Sequence, residues 1–82
     1  MQTYLEKHDI ATNQARFYHM VVLPNLFGEW TLYREWGRIG QGGKVRMELF
    51  ISQDQAASEM AKLEAAKLRR GYWLRPEQLP ML

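Results

Sequence analysis

The chain contains no cysteine, two histidines, three prolines and no long apolar run. Without cysteine there is no disulfide framework, no redox pair and no thiolate metal site, so the core must hold by packing alone. His8 and His19 are the only histidines, and a histidine metal centre would need both together with carboxylates, so no metal site is expected. Met20–Leu23 is the longest uninterrupted apolar stretch, far short of the roughly 20 residues that span a bilayer. The first ten residues, MQTYLEKHDI, lack the basic start, apolar run and small-residue cleavage site of a secretory signal, so a cytoplasmic protein is expected. Charge of one sign is scarce too. Eleven Lys and Arg against nine Asp and Glu give +2, a balance that permits nucleic acid as a partner without demanding it.

What is present fits one small domain over residues 1–82. A chain of this length buries only about 60% of the surface it exposes when unfolded, which leaves no room for a second core. Thr3–Lys7 is a short, weakly patterned segment suited to an edge strand, and Asp9–Gln14 reads as a polar connection. Arg16–Leu23 is crowded with aromatic and β-branched residues and is apolar on both faces, as a central strand is. Pro24-Asn25-Leu26-Phe27-Gly28 supplies a turn. Glu29–Arg38 alternates cleanly, with Trp30, Leu32, Arg34, Trp36 and Arg38 on one face. The glycine-dense run from Ile39 to Gly43 then predicts a hairpin into Lys44–Ile51.

At Ser52 the period changes. Ser52-Gln53-Asp54-Gln55 has the form of a capping box, and the segment behind it is rich in good helix formers. Ala56, Ala57, Met60, Ala61, Leu63 and Leu68 mark its apolar sector, and Gly71 after Arg69 and Arg70 marks its end. The expected fold is α+β: a small antiparallel β-sheet of about four strands with one α-helix of about eighteen residues packed on one face. The core is expected over residues 3–73, with an irregular tail over 74–82 in which Pro76 and Pro80 fall.

No residue set suits catalysis. Ser52 reads as a helix cap, Ser58 sits on the helix away from either histidine, and Glu29, Glu35 and Glu48 alternate with cations as in cross-strand charge pairing. The glycines at 40, 42 and 43 lie between two strands instead of opening a helix, the context a phosphate-cradling loop requires. We therefore expect neither an enzyme nor a cofactor.

The run from Trp36 to Arg46 is different. It carries an indole, the cations Arg38, Lys44 and Arg46, four glycines and no acid, so the small net charge conceals a local excess. In a regular hairpin Trp36 and Arg38 share a face, and Lys44 or Arg46 approaches from the return strand. A flat ring beside phosphate-pairing groups suits nucleic acid, because the indole stacks on a sugar or base while the cations neutralise backbone charge. Equally, Trp36 could close the core and Arg38 pair with a surface carboxylate.

Trp36-Gly37-Arg38-Ile39-Gly40, set at the end of one strand and followed by this loop, strand and helix, resembles the signature of the WGR domain. The resemblance extends to Asn13-Gln14-Ala15-Arg16-Phe17-Tyr18, to Phe27-Gly28, and to the helix ending at Arg69-Arg70-Gly71-Tyr72. WGR domains occur in DNA-dependent poly(ADP-ribose) polymerases and in small stand-alone bacterial proteins, and the latter are the nearer likeness. The resemblance implies a non-catalytic module that binds DNA, especially break ends, and contacts neighbouring domains. It assigns Trp36 to the sugar at a DNA end and Arg38 to joining DNA with partner domains. Gly37 and Gly40 match as loop-shaping positions, and Arg16 matches a basic position on the first long strand. Lys44 and Arg46 join this set from charge and strand geometry. The alternative is a protein-interaction module that uses the same surface, or the basic helix end at Arg69 and Arg70, to dock a protein partner.

Overall fold

A computed structural model of the chain describes residues 1–76. The elements run β1 (Gln2–Asp9), β2 (Gln14–Pro24), β3 (Trp30–Arg38), β4 (Lys44–Phe50), α1 (Gln53–Arg69) and β5 (Trp73–Leu74). The strands form one sheet in the order β4-β3-β2-β1-β5, every pair antiparallel. The architecture is α+β, with one more strand than about four. Trp73 and Leu74, the latter at the start of the expected irregular tail, pair with Glu6 and Leu5 as the additional strand. That contact moves β1 inward, so it is not the edge strand its weak pattern suggested. Of the expected tail, residues 77–82 lie outside the described residues.

Period-2 alternation sorts the sheet into two faces. Leu5, Tyr18, Met20, Val22 and Leu32 point toward α1 and form the core with Ala56 and Met60 from the helix. Trp30, Trp36, Phe50, Leu63 and Tyr72 close its rim. Ala61 and Leu68 of the expected apolar sector stay on the surface.

Local chemistry sets the helix ends. Ser52 Oγ accepts from the Gln55 amide at 3.2 Å, satisfying one donor of the open first turn. At the other end Gly71 takes φ +93°, the Gly71 amide donates to Leu68 O at 3.1 Å and the Tyr72 amide donates to Lys67 O at 3.1 Å. This paired ending satisfies two orphan carbonyls and turns the chain back toward β5. Around Glu6 on the opposite face, the Tyr4 hydroxyl donates to Oε2 at 3.0 Å, and His8 Nε2 and Arg75 Nη1 each lie 3.1 Å from Oε1. Burial and that hydrogen bond push the Tyr4 hydroxyl up to about 12. Among the described residues no helix is long and apolar enough to cross a membrane.

Candidate nucleic-acid interface

The register of β1, β2 and β3 brings together cations that are far apart in sequence. Lys7 stands opposite Arg16, and Arg16 opposite Arg38, so three cations lie in one row across three neighbouring strands on the helix side of the sheet. Directly opposed residues have Cα atoms only about 4.5–5.5 Å apart, and like charges so placed destabilise a sheet. The next row inward runs Leu5, Tyr18, Trp36 and Lys44. Arg46 follows one row further along, opposite Arg34. Thus Arg16, Trp36, Arg38, Lys44 and Arg46 all share one face, as the alternation required. Arg16, Arg38, Lys44 and Arg46 are exposed.

Trp36 lies between the core and an open cleft. Its indole stacks on Tyr18, centroids 5.6 Å apart and planes 15° apart, and so rests against the core. It also lines an open cleft of about 340 Å³ with Arg16, Gly37, Gly42, Gly43 and Lys44. That volume sits at the lower end of ligand clefts, about 300–1,000 Å³. Tyr18 is held in turn by Arg34 Nη1, which donates to its hydroxyl at 3.3 Å.

The end of α1 adds to the cluster. Lys67 Nζ lies 4.6 Å from the Tyr18 ring centre and 5.6 Å from that of Tyr72, while Lys7 Nζ lies 5.9 Å from Tyr72. Burial, then the neighbouring Arg70, Arg34 and Lys7 charges, push the Lys67 ammonium below the ordinary lysine range. An ammonium so placed gains from any anion that arrives. Lys67, Arg69 and Arg70 also complement the negative end of the helix dipole. Glu48 and Asp54 lie toward the opposite end, near the helix start, and Glu29 immediately precedes β3 there.

The two signature glycines shape the loop. A Cβ on Gly37 would meet Gly43 Cα at 3.0 Å, and one on Gly43 would meet Trp36 O at 2.5 Å and Phe17 Cζ at 2.9 Å. Gly40 takes φ +86° in the turn closed by the Gln41 amide on Arg38 O at 3.1 Å. The Ile39 amide, donating to Ala15 O at 2.9 Å, ties this turn to the start of β2.

Lys7 escapes a reading of the sequence because only strand register places it. Lys67 is visible there, but as one of several helix cations; its position over Tyr18 is a tertiary fact. Among the described residues no group of three or more His, Cys, Asp or Glu is placed to hold a metal ion.

A small antiparallel sheet crossed by one helix, with an indole and cations at the hairpin end, defines a compact module. The chain belongs to the WGR domain family, whose profile matches residues 1–78. It is 41% identical over 73 residues to the uncharacterized protein y4dW of Sinorhizobium fredii (strain NBRC 101917 / NGR234). The match covers 89% of this chain and 36% of that protein, so the chain spans about a third of its relative's length.

Proposed function

We propose that this WGR domain is a non-catalytic nucleic-acid-binding module that takes duplex DNA, and its ends in particular, on the helix side of the sheet. The observation that carries the reading is the row Lys7, Arg16 and Arg38, with no carboxylate between its members, beside a half-buried indole and Lys44. Such a row costs stability in the free protein and gains it back when phosphates lie across it. Trp36, fixed from below by Tyr18, offers its remaining surface to a terminal sugar or base. Arg16, Arg38 and Lys44 meet the adjacent phosphates, and Lys7 and Lys67 extend the footprint toward β1. Arg46 sits at the rim. Gly37 and Gly40 contribute by holding the loop that frames the cleft.

Titration of a fluorescent blunt duplex at low salt tests this. Trp36→Ala should weaken binding by roughly tenfold or more, in line with about 1–3 kcal/mol per aromatic stack. Arg16→Gln and Lys7→Gln should each lower affinity without altering the fold, and a covalently closed circle, which has no strand ends, should bind less well than the linear duplex. Affinity unchanged in all three folded variants would overturn the reading.

A further inference from the structure

Among the described residues the sheet ends in the two-residue β5 on one side and in the seven-residue β4, with nothing paired beyond it, on the other. At this second edge, β4 pleats Val45, Met47 and Leu49 onto the face away from α1, where they are 62%, 63% and 63% exposed. Lys44, Arg46 and Glu48 point to the helix side. Natural edge strands are blunted by short length, proline, bulges, charged side chains or a covering element, and among the described residues β4 has only the charges of Lys44, Arg46 and Glu48. The pairing of β4 with β3 runs without a bulge from Lys44 to Phe50, the strand has no proline, and among the described residues no strand lies beyond it. The apolar surface continues inward from β4 as a cleft of about 250 Å³ whose lining includes Leu23, Tyr33 and Val45.

We infer that β4 pairs antiparallel with β4 of a second copy, about a two-fold axis passing through Met47 perpendicular to the sheet. The side chains of the strand select this register. Antiparallel partners share a face, so a symmetric pairing must be centred on a residue. Centred on Met47, it sets Met47 against itself, Val45 against the partner's Leu49, and Arg46 against the partner's Glu48. Two apolar pairs flank a third on one face, and two opposite-charge pairs form on the other, each a stabilising cross-strand combination. Centred one residue earlier, the pairing opposes Arg46 to Arg46; one residue later, it opposes Glu48 to Glu48. Both carry a like-charge pair on the axis.

The occupant is therefore a second copy, identified by a strand whose charge and apolar pattern complements itself on reversal. Its formation joins two five-stranded sheets into one of ten. Both basic faces lie on the same side of it, because the axis is normal to the sheet. The two Trp36 positions stand about 25 Å apart, from three strand spacings and six residues of rise. The pairing does not depend on nucleic acid.

The chain has no cysteine, so one engineered thiol reports without background. Met47→Cys places a thiol opposite its own copy at a Cα spacing suited to a disulfide, about 4.5–5.5 Å. Under mild oxidation it should form a covalent dimer far faster than Leu26→Cys, whose site in the β2–β3 turn is 97% exposed and meets a second copy only by collision. Sedimentation velocity of the unmodified chain should show a concentration-dependent dimer. Met47→Lys and Arg46→Glu should each weaken it by roughly tenfold or more, since each opposes like charges across the seam. The Met47 variants lie on the face away from the basic cluster, so duplex binding measured on them separates this pairing from the nucleic-acid reading. A monomer throughout the micromolar to high micromolar range, or Met47→Cys cross-linking no faster than Leu26→Cys, would overturn the inference.

Discussion

Among the described residues, Arg34 differs from the other cations on its sheet face in carrying a carboxylate of its own. Its Nη2 closes to 2.6 Å on Glu48 Oε1, with side-chain exposures of 12% and 27%. The approach misses hydrogen-bond direction, and Arg34 Nε finds no acceptor among the described residues. The pair is close in distance and imperfect in angle, so its value lies in cancelling charge and in fixing Tyr18. Arg34→Met should cost about 2–3 kcal/mol in urea unfolding, toward the low end for a broken pair because Glu48 keeps some solvent. Arg34→Met combined with Glu48→Leu should recover most of that loss, and a single-variant cost near zero would contradict this account. His19 acts through protonation. Burial holds its imidazole below the ordinary histidine value, against a smaller opposing pull from Glu35, and its Nε2 lies 3.1 Å from Gln2 Oε1. As pH falls below about 6.5 the unfolded chain takes a proton that the folded chain resists, so stability declines until the depressed folded value is passed. Urea midpoints at pH 7 and pH 5 should therefore differ less in His19→Gln than in the parent protein. An equal pH slope in both would count against the assignment.

At the scale of elements, the β3–β4 hairpin depends on one close crossing of backbone. The crossing requires glycine at 43, whereas Gly42 has open space around the place a Cβ would occupy. Gly43→Ala should lose about 1–3 kcal/mol, as overpacking does, and shift Trp36 fluorescence, while Gly42→Ala should stay within about 0.5 kcal/mol. Thermal melts of the two variants check the contrast, and equal losses would show that the crossing does not govern the hairpin. The same hairpin shows how far the sequence can be read. Its strands, its loop and both helix ends follow from local signals: alternation, glycine density, a serine cap and a glycine stop. The Lys7, Arg16 and Arg38 row does not, because it depends on the register of two hairpins at once, and each register is set by how the turns at 10–13 and 25–29 close. Likewise β5 is two residues long, ahead of Pro76, and carries no period of its own. Its pairing follows from the Gly71 turn that aims the chain at β1. The indole, arginine and lysine of the candidate site are legible as a group, whereas Tyr18 behind the indole and Lys67 over the Tyr18 ring are products of packing.

Across the whole molecule, the proposed nucleic-acid contact is electrostatic before it is anything else. With about five phosphates engaged, log affinity should fall with log salt at a slope of about −4.5, and Arg38→Gln should flatten that slope by about one unit. Titrations between low and moderate salt measure both numbers, and a slope near zero would mean that the cations do not face phosphate. The placement of charge has a further consequence. Arg38 and Trp30 close opposite ends of β3, about 26 Å apart along the strand. Cations gather at the first end, and Glu29, Glu48 and Asp54 lie toward the second. The domain is thus polar along its strands, even with Asp9 at the cationic end, in a way that a net charge of +2 does not disclose. Near a polyanion it experiences a torque as well as a pull, and it arrives already turned with the hairpin end leading. On a cation-exchange surface the same torque holds the protein by one end, so it elutes later than a molecule of equal net charge spread evenly.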